Sequence, residues 1–319
     1  MLGYTVRRVL TTIPLLLIAT FLIFVLVSVS NDPRSRLAAC GTCDESAFQR
    51  LEELYELDKP IPVRYFGWLS DVVAGDWGVA LSINSIPVKD VVLERAKNTA
   101  IMAIPAFFLI AGLAVVLGVY SAVRQYSTSD YVITGFSFLG ISMPTFFFAL
   151  LLQAIFVVWW QEWFDLKPFY VSGLHTESFG DLVSSLTLPV VTLTLVVVAG
   201  ESRFMRASML EVINSDYIRT AKAKGLSQRT VIFRHALRNS LIPLVTIWAL
   251  DFAFLMGGSV ITETVFAWPG LGVLLVNSIF AQDLDLVMGV TMFIAVIVIV
   301  FNLIADLLYG VLDPRIRYD

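Results

Sequence analysis

Few side chains in this chain have the chemistry of a catalytic or metal site, and they lie far apart. The only cysteines are Cys40 and Cys43, spaced C-x-x-C, and the only histidines are His175 and His235. A zinc site at the cysteine pair would lack its other two ligands, and a thioredoxin-like redox pair would need a surrounding βαβ pattern. We therefore predict a local disulfide or two idle thiols, and no metal site.

Motifs for nucleotide binding and hydrolysis are missing from the sequence. There is no Gly-Lys dipeptide, and therefore no Walker A loop to hold the phosphates of ATP. Neither G-x-S-x-G nor H-E-x-x-H occurs, so the signatures of α/β-hydrolases and zinc peptidases are missing too. These observations give no support to an enzyme, and we expect no cofactor in this chain.

The elements that position the remaining polar residues are membrane helices. Of the 319 residues, 57% are hydrophobic and only 15% are charged, and the mean hydropathy is +0.80. A helix needs about 20 mainly apolar residues to cross roughly 30 Å of hydrocarbon. We therefore predict an all-α membrane protein, with one transmembrane domain over residues 1–319 and six spans at about 9–29, 99–122, 132–160, 185–204, 241–262 and 286–308.

The distribution of Lys and Arg predicts the orientation, because short cytoplasmic loops carry an excess of basic residues. With the N-terminus inside, the short outer loops 161–184 and 263–285 hold only Lys167. Eight basic residues lie in segment 30–98, but loops beyond about 60 residues cross the membrane largely regardless of charge. We therefore predict that both termini are cytosolic and that segment 30–98 is an extracytoplasmic loop.

Two stretches outside the predicted spans carry local patterns. In the long loop, residues 51–58 have the pattern of a short amphipathic helix, and Lys59-Pro60-Ile61-Pro62 has that of a breaker. Segment 263–285 is polar at both ends and apolar in its middle. This pattern predicts a re-entrant or interfacial segment that folds against the bundle from outside, with a turn at Trp268-Pro269-Gly270.

Segment 205–240 is a basic stretch between two predicted spans. Asn214 or Ser215 can cap a helix start, and Asp216 suits the positive end of that helix. Gly225 can take the left-handed turn that ends it. These signals predict a helix of about nine residues on the cytosolic side.

One face of this short helix carries Tyr217, Ala221 and Lys224, with Ile218 alongside. An aromatic side chain beside small residues suits insertion into the groove of a partner protein. The same basic residues also suit a helix that rests on lipid headgroups. Periodicity alone leaves both interpretations open.

The loop also resembles a known pattern. Arg219-Thr220-Ala221 and Gly225 keep the spacing of the coupling loop, called the EAA loop, of ATP-binding-cassette importer permeases. Arg219-Thr220-Ala221 stands where most of these loops have Glu-Ala-Ala, and His235-Ala236-Leu237-Arg238 replaces an Ile-x-Leu-Pro group. Both replacements resemble the dipeptide, oligopeptide and nickel permease branch. Further motifs resemble this branch in order along the chain: Leu57-Asp58-Lys59-Pro60, Gly75-Asp76-Trp77-Gly78, Met209-Leu210-Glu211, Glu263-Thr264-Val265-Phe266, Trp268-Pro269-Gly270-Leu271-Gly272 and Asp313-Pro314-Arg315-Ile316-Arg317.

The resemblance implies a multi-pass, pore-forming subunit of a type I importer in the bacterial inner membrane, surrounded by lipid, with no nucleic-acid partner. Its implied partners are a second homologous permease, two P-loop ATPase subunits that bind ATP and Mg, and an extracytoplasmic binding protein that delivers peptide. The residues that it assigns to ATPase coupling are Asp216, Tyr217, Arg219, Thr220, Ala221, Lys224, Gly225, Leu226 and His235.

Asp251 lies near the middle of the fifth predicted span, where a carboxylate is costly and usually faces a partner or a water-filled cavity. It could line the translocation path, near the amino terminus of a peptide, or form a structural hydrogen bond to a neighbouring helix. Nearer the cytosolic ends of the helices, interfacial ion pairs are expected for Glu201, Arg203, Arg206 and Asp306.

The sequence thus predicts the permease subunit of an ATP-driven dipeptide or oligopeptide importer. The same architecture could import nickel or glutathione. An autonomous ion-coupled transporter or channel that uses Asp251, and a membrane scaffold whose basic loop binds lipid or protein, are the alternatives from other classes.

Overall fold

The fold is a bundle of long helices, seen in a computed structural model that describes residues 2–30, 49, 52–53, 55–165 and 168–312. Cys40 and Cys43 lie outside these residues. Within them, six helical segments are long and apolar enough to cross a membrane, as predicted: Val6–Ser30, Val88–Val123, Thr145–Phe164, Phe179–Ile213, Gln228–Val265 and Leu284–Leu308.

The first part of the chain forms α1 (Leu2–Ser30), α2 (Ile61–Ala74) and the antiparallel hairpin of β1 (Val79–Ala80) and β2 (Ile86–Pro87). Helix α2 packs on α1, and the hairpin packs on two later long helices, Val88–Val123 and Leu284–Leu312. Tyr65 of α2 is buried against the rings of Phe21 and Phe24, with centroids 5.1 and 5.7 Å away. Its hydroxyl lies 2.8 Å from the Thr20 hydroxyl, so one polar contact is built into an apolar interface.

The run Lys59-Pro60-Ile61-Pro62 separates two helical stretches, as the sequence predicts, because residues 52, 53 and 55 are helical, residues 56–60 are not, and a new helix begins at Ile61. Pro60 occupies the N-cap of α2 with φ −58° and ψ 142°, and Pro62 follows in the first turn. Proline is tolerated there because the first-turn N–H groups have no partner within the helix and the fixed φ of proline already suits it. The prolines therefore mark the start of α2.

The centre of the bundle is the pair formed by α3 (Val88–Val123) and α7 (Phe179–Ile213), with α4 (Thr128–Ser142) beside α7. Small residues let these helices approach closely. A Cβ on Gly118 of α3 would lie 2.8 Å from the Ser202 carbonyl oxygen of α7. A Cβ on Gly140 of α4 would lie 2.8 Å from the Ala199 Cβ of α7.

The third predicted span, 132–160, is wrong at its start, because the helix is interrupted at Met143 and Pro144. Met143 is extended, with φ −92° and ψ 132°, and α4 has already ended at Ser142. A residue before proline is pushed out of the helical region by the proline ring. The chain resumes as α5 (Thr145–Gln153), the π-helical turn π1 (Ala154–Trp159) and α6 (Trp160–Phe164).

The second half of the chain alternates short helices with two long ones. These elements are α8 (Asp216–Ala223), α9 (Gln228–Thr230), the π-helical turn π2 (Val231–Ala236), α10 (Leu237–Met256), α11 (Val260–Val265), α12 (Leu271–Phe280) and α13 (Leu284–Leu312). Helix α13 packs along both α10 and α1. The helices α11 and α12 flank Trp268-Pro269-Gly270, where the sequence predicts a turn.

Glu263 is fully buried and holds this turn to α3. Its Oε1 accepts a hydrogen bond from the Thr99 hydroxyl at 2.9 Å, and its Oε2 accepts one from the Val273 N–H at 3.0 Å. The indole N–H of Trp268 donates to the Asn98 carbonyl at 2.9 Å. Polar contacts thus fix the α11–α12 corner in an otherwise apolar core.

Candidate functional site

Helix α8 begins at Asp216, as its local sequence predicts, but the capping side chains do not act as expected. The Ser215 hydroxyl donates to the Val212 carbonyl at 2.6 Å, and the Asn214 amide donates to the Leu210 carbonyl at 2.9 Å. Both side chains therefore satisfy the end of α7 rather than the start of α8. Asp216 supplies the negative charge that suits the N-terminus of α8.

The end of α8 is a complete Schellman motif. Gly225 has φ +77°, its N–H donates to the Lys222 carbonyl at 3.0 Å, and the Leu226 N–H donates to the Ala221 carbonyl at 3.4 Å. A Cβ on Gly225 would meet no atom within 4 Å. Glycine is therefore required here by the left-handed backbone and not by close packing.

The inward face of α8 is seated on the bundle. Ile218 is 0% exposed and Ala221 is 8% exposed, in a cluster with Met205 and Met209 of α7 and Val231 of π2. Burial of these two side chains against α7 and π2 holds α8 as part of the fold. A movement of α8 would therefore also displace the end of α7 and π2.

The outward face of α8 is polar and basic around one aromatic residue. Tyr217 is 41% exposed, and its hydroxyl accepts a hydrogen bond from the Asn239 amide at 2.8 Å. Ala221, expected on the same face as Tyr217 and Lys224, packs inward instead. The exposed residues of the predicted coupling set are Asp216, Tyr217, Arg219, Thr220, Lys224, Gly225 and Leu226.

His235, the remaining member of that set, is half-buried in π2. Val231 and Ala236 of the same turn are buried in the α8 cluster. A π-helical turn is rare and occurs often at functional sites. Here it joins the seat of α8 to the long helix α10.

Asp130 and Arg206 form a buried ion pair beside this seat. Arg206 of α7 donates two hydrogen bonds of 2.8 Å to the carboxylate of Asp130, which is 2% exposed. The Ser121 hydroxyl and the Tyr126 N–H donate to the same carboxylate. The hydrogen bonds from the Arg206 guanidinium are the largest cause that holds the pKa of Asp130 well below its usual range. The start of α4 is thereby bonded to α7.

Interfacial ion pairing, expected for four residues, is found for two of them. Arg206 pairs with Asp130, and Asp306 of α13 pairs with Arg8 of α1. Arg203 instead places its guanidinium 4.4 Å from the centroid of the Phe138 ring. Glu201 has no ion pair among the described residues.

Glu201 instead lies beside Asp251 inside the bundle. Glu201 is 7% exposed and accepts a hydrogen bond of 2.8 Å at Oε2 from the indole N–H of Trp248. Its carboxyl is within hydrogen-bonding reach of the half-buried Asp251 carboxyl. The sequence draws attention to Asp251 because of its depth, but it does not indicate that Glu201 is the neighbouring group.

The chain matches two family descriptions that together cover nearly all of it. Residues 114–318 match "Binding-protein-dependent transport system inner membrane component". Residues 1–103 match "Binding-prot-dependent transport system membrane comp, N-term". The short gap between the two matches, residues 104–113, lies within α3.

The chain aligns over its full length with several permease proteins. The chain is 39% identical to the oligopeptide transport system permease protein AppB of Bacillus subtilis (strain 168) and 34% identical to OppB of Haemophilus influenzae. It is 35% identical to the glutathione transport system permease protein GsiC of Pectobacterium atrosepticum. Each of these alignments covers 100% of both chains.

A solved structure supports the fold. The inward-facing MetNI methionine ABC transporter has a chain that matches with a TM-score of 0.52 at 16% identity. The match covers 70% of this chain and 96% of that one. At this identity the likeness concerns the arrangement of the helices alone.

Proposed function

The chain belongs to the family of binding-protein-dependent transport system inner membrane components, and on this premise we propose that it is the pore-forming permease subunit of an ATP-driven peptide importer. The observation that carries the proposal is the end-to-end similarity to oligopeptide permeases. The six apolar helical segments and the exposed, basic α8 are consistent with that role.

Energy is supplied by other subunits. The sequence holds no Walker A loop, so two P-loop ATPase subunits bind ATP and Mg and hydrolyse the nucleotide. The exposed side of α8 presents Tyr217, Arg219 and Lys224, and this surface enters a groove of the ATPase. A second homologous permease completes the path, and an extracytoplasmic binding protein delivers the peptide.

The two faces of α8 have different roles in coupling ATP hydrolysis to transport. The exposed face contacts the ATPase, and Ile218 and Ala221 on the opposite face contact the ends of α7 and π2. Closure of the ATPases displaces α8, and the packed inward face transfers that displacement to α7 and, through π2, to α10. The ion pair of Asp130 and Arg206 joins α4 to α7, so that α4 moves with it.

This role requires α8 to lie in the cytosol. Segment 205–240 carries seven Lys and Arg residues, in keeping with the excess of basic residues in cytoplasmic loops. Both termini then also lie in the cytosol, because four candidate spans precede α8 and two follow it. Reaction of single cysteines at positions 217 and 177 with an impermeant thiol reagent, applied to sealed cells, tests this orientation. Labelling at 217 and not at 177 would reverse it.

Peptide is the cargo that the relatives favour, and glutathione, itself a short peptide, is the second candidate because a glutathione permease is among them. Initial uptake of a labelled tripeptide in competition with glutathione and with Ni²⁺ discriminates these solutes. Competition by glutathione at concentrations that saturate peptide uptake would identify glutathione as the cargo. The protein would still be the permease of an ATP-driven importer.

The proposal is tested by purification from native membranes in mild detergent, followed by reconstitution. We expect a second permease and a P-loop ATPase to copurify, and peptide uptake into proteoliposomes to require ATP together with the binding protein. A chain that purifies alone and moves solute without ATP would instead be an autonomous transporter.

A further inference from the structure

The carboxyl pair of Glu201 and Asp251 lacks a cation. The nearby arginines on α7 are engaged elsewhere: Arg203 lies over the Phe138 ring, and Arg206 is bonded to Asp130. Neither Glu201 nor Asp251 takes part in an ion pair within the described residues. Two acidic groups therefore stand together in the transmembrane part of the bundle without a resident partner of opposite charge.

The hydrogen bonds of Glu201 are also incomplete. Trp248 donates to Oε2, but Oε1 is buried and receives no hydrogen bond from any donor in the described part of the chain. The Asp251 carboxyl lies within reach of Glu201. Two ionised carboxylates have no donor to share, so without a ligand a proton held between them is the donor that satisfies the pair. A ligand that brings N–H donors and a positive charge can take the place of that proton, which leaves to water.

The surroundings of Asp251 point to water rather than lipid. Asp251 is only half-buried, and a carboxylate open to hydrocarbon is avoided in transmembrane helices. The open side of Asp251 therefore faces a water-filled cavity or another protein. In an importer whose path runs between two permeases, this places Asp251 on the path.

We infer that Glu201 and Asp251 form a subsite of the translocation path that takes the protonated amino group of the peptide. A primary ammonium carries three donors and no acceptor, so it can bond the half-buried Asp251 carboxylate, and the neighbouring, buried Glu201 carboxyl adds a second acidic group to the subsite. The Trp248 indole fixes the Glu201 carboxyl from its other side. This inference rests on the proposed function and deepens it.

The first experiment measures peptide uptake by the reconstituted importer. Asp251→Asn is expected to lower the maximal uptake rate at least about tenfold, a loss equivalent to roughly 1.4 kcal/mol of interaction. Asp251→Glu, which keeps the charge, should retain most of the rate. Glu177→Gln, which removes an exposed carboxyl in a loop, is the matched control and should leave uptake unchanged.

The outcomes separate the two proposals. If the wild-type importer moves no peptide, the proposed function fails. If the wild type moves peptide and Asp251→Asn moves it at the same rate, the inference alone is overturned.

The second experiment does not depend on peptide. The importer is reconstituted in nanodiscs from a chain that carries Cys40→Ser, Cys43→Ser and Asp251→Cys. Its rates of reaction with a cationic and with an anionic thiosulfonate of similar size are measured separately. Glu201 should make the cationic reagent react about tenfold faster, and Glu201→Gln should abolish this preference. Glu177→Cys, the control position, should react at similar rates whether residue 201 is Glu or Gln. Equal rates for the two reagents, or no reaction at position 251, would overturn the inference even if the uptake variants assemble poorly.

Discussion

Arg206 of α7 binds both carboxylate oxygens of Asp130 at 2.8 Å, across 76 residues of sequence. Arg206 directly follows Met205, which packs with Ile218 and Ala221 of α8. Two elements that the sequence separates widely are thereby joined near α8.

Asp130→Asn should destabilise the protein strongly, because removal of one partner leaves Arg206 with an uncompensated charge in a partly buried place. Breaking a buried pair costs about 3 to 5 kcal/mol, and the partial exposure of Arg206 places this case at the lower end. Thermal unfolding of the purified protein in detergent measures the loss. Asp216→Asn, at a fully exposed aspartate, is the control, and an equal effect of the two variants would contradict the role of the pair.

The same pair predicts a dependence of stability on pH. The pKa of Asp130 is lowered in the folded state, so its contribution is fully present above the ordinary aspartate pKa of about 3.9. The contribution is lost as pH falls below that value towards the folded-state pKa. Wild-type stability should therefore fall more steeply than that of Asp130→Asn between about pH 4 and pH 3. Parallel curves in thermal scans over this range would refute the assignment.

Gly225→Val should uncouple ATP hydrolysis from transport while leaving the protein inserted. No atom obstructs the side chain, so the cost is that of a left-handed residue, about 1 to 2 kcal/mol, which favours a different end for α8. Gly225→Asn should be milder, because Asn tolerates this conformation. Uptake and ATPase rates are measured together, with Gly112→Val as a control at an unobstructed glycine without positive φ. Wild-type uptake by Gly225→Val would remove Gly225 from the coupling mechanism.

Ile218→Ala should loosen α8 from its seat, because a fully buried side chain is truncated. Such a truncation costs about 2 to 5 kcal/mol in a packed core. Hydrogen exchange of residues 216–224 should accelerate, and peptide uptake should fall. Lys222→Ala, on the exposed side of the same helix, should leave the exchange rates nearly unchanged. Unaltered exchange in Ile218→Ala would mean that α8 is not held by this contact.

Gly270→Ala should destabilise the α11–α12 corner. Its added Cβ would overlap the carboxyl group of Glu263, which is fully buried and bonded to Thr99 and Val273. Overpacking of this kind costs about 1 to 3 kcal/mol. The melting temperature in detergent measures the effect, and Gly180→Ala, where a Cβ would meet only a contact of 3.6 Å, provides the comparison. Equal melting temperatures for the two variants would show that the corner yields easily.

The sequence by itself determined the features that depend on local pattern. Runs of apolar residues give the six spans, because crossing the hydrocarbon layer requires a set length. Asp216 and Gly225 mark the two ends of α8, because caps act within one turn. Pro144 indicates the break in the third span, because a proline disfavours the helical conformation of the residue before it. The prediction missed this break because the residues around Pro144 form one continuous apolar run.

The tertiary structure alone decided which side chains meet. Ala221 packs inward, Glu201 lies beside Asp251, and Arg206 reaches Asp130. These outcomes depend on how each helix is rotated about its axis. In a membrane helix the faces towards lipid and towards protein are both apolar, so hydropathy does not set that rotation. Close packing and the pairing of a few polar groups set it, and both exist only once the bundle has formed.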